Sequence, residues 1–146
     1  MDFSQADKTI AKISDTLDAD HFDQVIPACH DSITLLEQVC TAIDAANQAN
    51  YSKQLFFNDH VTLQRILTTA METIFKCRAI QNSFEFQTLL IKEQELVIHK
   101  EPPHSDNHTL HPEQTHAAIK QLINASKTFH LQLIHLNSLI MTRLES

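Results

Sequence analysis

Residues 112–146 read "PEQTHAAIKQLINASKTFHLQLIHLNSLIMTRLES". Ile119, Leu122, Ser126, Phe129, Leu133, Leu136 and Ile140 follow one another at steps of three and four. Such steps return to one side of an α-helix, so these positions form a nearly clean heptad seam. Pro112 suits a helix start, because its ring presets φ and its missing N–H has no partner to lose in the first turn. One long helix is therefore predicted from Pro112 onward. A second apolar set, Ile123, Leu131, Ile134, Leu139 and Met141, lies off that seam. A single seam satisfies one neighbour. Two apolar faces imply a helix inside a bundle, or one with an extra face for self-association or for a surface.

Upstream, "EPPHSDNHTLHPEQ" (101–114) holds three prolines among polar residues and predicts a loop. Before it, Phe86, Leu89, Leu90 and Val97 make the stripe of a helix ending near Lys100, with Asn82 and Ser83 as a break and re-cap. The helix preceding that break carries Leu63, Ile66, Leu67, Ala70, Ile74 and Cys77, with Asn58 or Asp59 as its cap. The polar run "NQANYSKQ" (47–54) is either a loop or a bare stretch of a longer helix. From Asp31, Ile33, Leu36, Cys40 and Ile43 keep a/d spacing, flanked by Leu35, Val39, Ala42 and Ala46, and Pro27 marks a helix start or bend. Phe3, Ala6, Ile10, Ile13 and Leu17 form a short amphipathic helix over residues 1–20, read as loosely attached. No strand-like alternation competes. The predicted fold is all-α: an antiparallel bundle of three to four long amphipathic helices with coiled-coil character, spanning residues 21–146 as one domain.

Composition narrows the function. The 146 residues include no glycine, where roughly 7% is usual. Tight hairpins lean on glycine for positive φ, so this chain is poorly equipped for them. Gly-rich phosphate loops are excluded outright. The formal charge is −7, without a Lys/Arg block, which disfavours nucleic acid as a partner. Ten histidines would carry that charge from −7 to +3 if all were protonated (−7 + 10). Cys29, Cys40 and Cys77 show no CxxC pairing, and the acidic N-terminal stretch has no hydrophobic core of a secretory signal. A reducing, cytoplasmic setting is expected. No run of about 18 apolar residues predicts a membrane span.

Chemistry is sparse. His99, His104, His108, His111 and His116 gather around the Pro-rich loop with Asp106, a composition that zinc would tolerate. Yet His111 and His116 are five residues apart, as are His130 and His135, and no HExxH occurs. The segment reads as a polar loop that is merely rich in histidine. His30 adjoins Cys29, but sequence neighbours point different ways on a helix, so no nucleophile–base pair results. Phosphotransfer through His30 or His60 has no motif behind it. No catalytic residue, metal or cofactor is expected, and the chain is not read as an enzyme.

The remaining signal is apolar. Phe84, Phe86, Leu89, Leu90 and Ile91 sit among Glu85, Gln87, Lys92 and Glu93 in a wide arc. Here the sequence resembles the phasins, small helical proteins that coat bacterial polyhydroxyalkanoate granules. The run from Cys77 to Lys92 carries the likeness, with Gln81, Glu85 and Gln87 matching the family's central segment by identity. Arg78, Ser83, Thr88 and Lys92 match by residue type, and the helices before and after fit the family's layout. Ile80 stands where proline is usual, the alanine bias is weak, and the Pro/His loop is unusual. The resemblance implies a non-enzymatic coat protein, self-associating in free solution, whose amphipathic helices lay apolar faces on the polyester. The contact surface would be Phe84, Phe86, Leu89, Leu90 and Ile91, with Ile123, Leu131 and Ile134 of the last helix. The alternative is a small acidic helical chaperone, adaptor or inhibitor that binds a client protein of a bacterial secretion or regulatory pathway.

Overall fold

The structure, a computed structural model, describes residues 2–18, 22–48, 53–98 and 112–145, apart from the side chains of 53–58, 93–98, 140 and 142–145. Five α-helices run along it: α1 Phe3–Thr16, α2 Val25–Gln48, α3 Lys53–Gln81, α4 Phe84–Ile98 and α5 Pro112–Glu145. A 3-10 turn, Phe22–Gln24, leads into α2. No strand occurs among the described residues, and the all-α bundle expected from the glycine-free sequence is what forms.

Local chemistry sets the helix ends. Asp2 caps α1 by accepting the Ser4 N–H at 3.0 Å, satisfying one donor of the first turn. Pro27 lies in the first turn of α2, where a missing N–H costs little. α3 begins at Lys53, earlier than the Asn58 or Asp59 cap suggested by the sequence. The polar run 47–54 is therefore divided, closing α2 at Gln48 and opening α3 at Lys53. Asn82 and Ser83 do break the helix. The Ser83 hydroxyl accepts the Phe86 N–H at 3.2 Å and so re-caps the chain as α4. α5 opens on Pro112 as predicted.

Four helices make the bundle. α1 packs on α2 and α3, and α5 packs on the same two, so the four stand at the corners of a square. Chain neighbours α1 and α2 run antiparallel, with the end of α1 beside the start of α2. α3 and α5 do the same, since Gln81 at the end of α3 hydrogen-bonds His116 near the start of α5. The other two sides of the square are parallel pairs. Along α1 and α3, Asp7 meets Arg65 at 3.4 Å and the Ser14 carbonyl meets the Lys76 ammonium at 2.9 Å. Along α2 and α5, residues 36–41 face 125–128, while 43–47 face 128–135.

The core follows the predicted stripes. Ile119, Leu122, Ser126, Phe129, Leu133 and Leu136 of the α5 seam are all buried. They meet Leu36, Val39 and Ile43 of α2, and Leu63, Ile66, Ala70, Ile74 and Cys77 of α3, in one continuous cluster. α1 is not loosely attached, contrary to expectation. Phe3, Ala6, Ile10 and Leu17 join the same cluster. The Lys76 ammonium also caps the carbonyl end of α1, where charge of that sign is favoured.

α4 is different. Among the described residues its contacts with the rest are few and fall mainly on α3, which precedes it. It leaves the bundle at the end where α3 stops, and α5 starts at that same end, so α4 is an excursion rather than a corner of the square.

Candidate functional site

α4 docks through its first turns. Phe86 exposes no surface and meets Phe22 edge to face, with ring centroids 6.5 Å apart. Such a pair adds about 1 kcal/mol beyond the area it buries. The Gln87 amide donates to the Gln81 carbonyl at 3.0 Å, tying the helix back to the end of α3. Leu89 and Leu90 are half-buried. Phe84 is 82% exposed and Ile91 57% exposed. The expected contact surface on α4 thus divides. Phe86 is an anchor sealed against the bundle and is withdrawn from that surface, whereas Phe84 and Ile91 face outward.

The α5 residues divide similarly. Ile123 is half-buried against the core, so it belongs to packing more than to an outer face. Leu131 and Ile134 are exposed, joined by Met141. At roughly 100° per residue Leu131 falls opposite the buried seam, while Ile134 and Met141 lie on its flank, about 100–120° round the helix. Leu131 also lines a groove with Ile43 and Asp44 of α2 and with His135.

Sequence reasoning missed the outer face of α3. Val61, Met71 and Phe75 are exposed, Phe75 by 76%. They span an arc of about 80° directly across the helix from Leu63, Ile66, Ala70 and Cys77. A signal was available, since 61, 68 and 75 are seven apart; Thr68 in the middle broke the apolar run. Three helices thus carry large apolar side chains on faces turned away from the core.

The reactive groups make no recognisable catalytic set among the described residues. Among the described residues, no group of three or more His, Cys, Asp or Glu side chains is arranged to hold a metal ion. The sequence holds two Glu-x-x-His steps, Glu101–His104 and Glu113–His116. Glu113 and His116 are exposed in the first turns of α5, and His116 is engaged by Gln81. His99, His104, Asp106, His108 and His111 lie outside the described residues. Cys40 is half-buried, and burial, then Asp44 and Glu37, push its thiol up to about 11, well away from a reactive thiolate. No described helix is long and apolar enough to cross a membrane. No protein-family model, curated protein or solved structure matches this chain.

Proposed function

We propose that the protein is a non-enzymatic, phasin-like helical coat protein that binds the hydrophobic surface of polyhydroxyalkanoate granules through the outward apolar residues of α3, α4 and α5. One observation carries this reading: Phe75, Phe84 and Ile91, with Val61, Met71, Leu131, Ile134 and Met141, are each more than half exposed. Scattered single apolar residues are ordinary on a protein surface. These instead lie on outward-turned sides of three helices, along roughly 20 Å of α3 from Val61 to Phe75 at 1.5 Å per residue. An extended apolar phase meets such a spread better than one peptide-sized ligand does, by the physics of helices lying in an interface. The acidic balance of the chain would keep coated particles apart.

The test is sedimentation with hydrophobic polyester particles. The variant Phe75→Ser, Phe84→Ser, Ile91→Ser should lose at least about tenfold in particle binding, with circular dichroism and melting temperature nearly unchanged. Wild-type affinity in this variant would end the surface-binding reading.

A second reading has its own support. Leu131, Ile134, Ser138 and Met141 repeat at steps of three and four on the outer side of α5, the spacing of a coiled-coil seam. This favours a helical protein partner, a second copy included. Ile134→Lys would then shift the mass measured by sedimentation equilibrium, or abolish capture of a client, without changing particle binding.

A further inference from the structure

Cys29 of α2 and Cys77 of α3 meet inside the bundle with their Sγ atoms 3.8 Å apart. Both thiols are free, and neither residue exposes any surface. The helices that carry them are not among the closely packed pairs. α2 and α3 occupy opposite corners of the square, with α1 and α5 between them. The sulfur pair therefore bridges the diagonal of the bundle and joins residues 48 apart in the chain. The third thiol, Cys40, lies eleven residues beyond Cys29 on α2 (29 to 40), roughly 16 Å away along the helix. It cannot compete for either sulfur within the folded chain.

We propose that Cys29 and Cys77 are a redox-modification site: a hydroperoxide converts them to a reversible disulfide that locks the bundle shut. The sulfurs are already in van der Waals contact and need to close by about 1.8 Å to reach bonding distance. The hydrogen bond between the two sulfurs, and then burial, push the Cys29 thiol up, while the same bond lowers that of Cys77, so the first negative charge is favoured on Cys77. The Cys77 thiolate attacks one peroxide oxygen and the O–O bond breaks. With a proton, the leaving hydroxide or alkoxide becomes water or an alcohol, and Cys77 becomes a sulfenic acid. The Cys29 sulfur then attacks the Cys77 sulfur, the S–O bond breaks, and the hydroxyl departs with the Cys29 proton as a second water. Two thiols and one hydroperoxide give one disulfide, one water and one further water or alcohol. A dithiol returns the two electrons. Access needs only a small oxidant and brief local opening of the helix pair.

The lock bears on function. The outward residues of α3, α4 and α5 can touch an apolar surface while the bundle stays closed, but further spreading that adds the buried seams to the contact requires the corners of the square to part. A covalent tie across the diagonal holds them together. This consequence rests on the surface-binding reading, whereas the disulfide does not.

The experiment uses the full chain carrying Cys40→Ala, so that only the pair remains. Reduced protein is treated with hydrogen peroxide, alkylated in denaturant and examined by mass spectrometry and thermal melting. The expected result is a loss of about 2 Da without alkylation, and a peptide joining residues 29 and 77. The melting temperature should rise by about 10 °C, reversed by dithiothreitol. Two alkylated thiols, or separate sulfinic adducts on each, would overturn the disulfide. A disulfide that forms but leaves polyester-particle binding unchanged would overturn the lock. Reduced protein that fails to bind particles would instead count against the surface-binding reading, leaving the disulfide to be judged by mass and melting alone.

Discussion

Phe86 of α4 and Phe129 of α5 are both wholly buried phenylalanines, yet they hold different things in place. Phe129 is one of many large side chains in a cluster shared by four helices. Phe86 is sealed at the end of the bundle, edge to face on Phe22, and the helix that carries it presents Phe84 and Ile91 outward. The two segments have comparable apolar content, and burial separates them. α5 spends its seam on neighbours along its length, while among the described side chains of α4 only Phe86 is fully buried. The difference teaches that apolar content measures a helix's capacity for contact, and that neighbours decide how much of it is used within the chain.

Substitutions at these sites test that contrast. Phe129→Ala should have the largest effect, a loss of about 4 kcal/mol in denaturant unfolding, because a buried ring is removed from a fully enclosed site. Phe86→Ala should cost less globally, about 2 kcal/mol, since the site lies at the end of the bundle and can relax. Its sharper signature should be faster hydrogen exchange confined to α4 amides. Were the two variants to cost the same, with exchange rising throughout the molecule, α4 would be an equal part of the cooperative core and the contrast would fail. Ser83→Ala should cost about 1 kcal/mol or less, through loss of the cap, and fray only the start of α4.

The smallest effect concerns pH. The Cys40 thiol is raised from 9.0 to about 11 in the folded chain, so the unfolded chain gives up this proton first. The contribution of Cys40 to stability is therefore full below pH 9 and is lost as pH rises toward 11. Cys40→Ala should flatten that part of the stability profile, and its effect is confined to α2, away from α4. At pH 8, Cys40 should alkylate roughly a hundredfold more slowly than an unperturbed thiol, as its thiolate fraction dictates.

Much of the bundle was legible before its structure. The α5 seam from Ile119 to Leu136 is buried as its spacing requires, and so is the α3 stripe of Leu63, Ile66, Ala70, Ile74 and Cys77. The Ser83 re-cap and the Pro112 start were also readable, because caps act through bonds only two or three residues long. The candidate site was legible only in part. Phe84, Ile91, Leu131 and Ile134 face outward, whereas Phe86 turned inward once Phe22 supplied a partner far away in the chain. Val61, Met71 and Phe75 escaped notice because their stripe is broken at Thr68 and stands opposite a stronger one. The firm attachment of α1 was hidden as well. It depends on Phe3, Ala6, Ile10 and Leu17 meeting stripes of α2 and α3 that lie far off in the chain, with Lys76 capping its end.

By itself the sequence determined helicity, the helix breaks at Ser83 and Pro112, and which residues share a side of each helix. Those are properties of a backbone with a fixed turn and no glycine to interrupt it. Tertiary structure alone decided that α1 runs parallel to α3 and α2 parallel to α5, which phenylalanine of α4 is covered, and that Cys29 comes to lie against Cys77. Periodicity says that a side has an apolar stripe. Only packing across long stretches of chain says which other stripe it meets, because many pairings of such stripes satisfy the same local pattern and differ only in how well they fill space together.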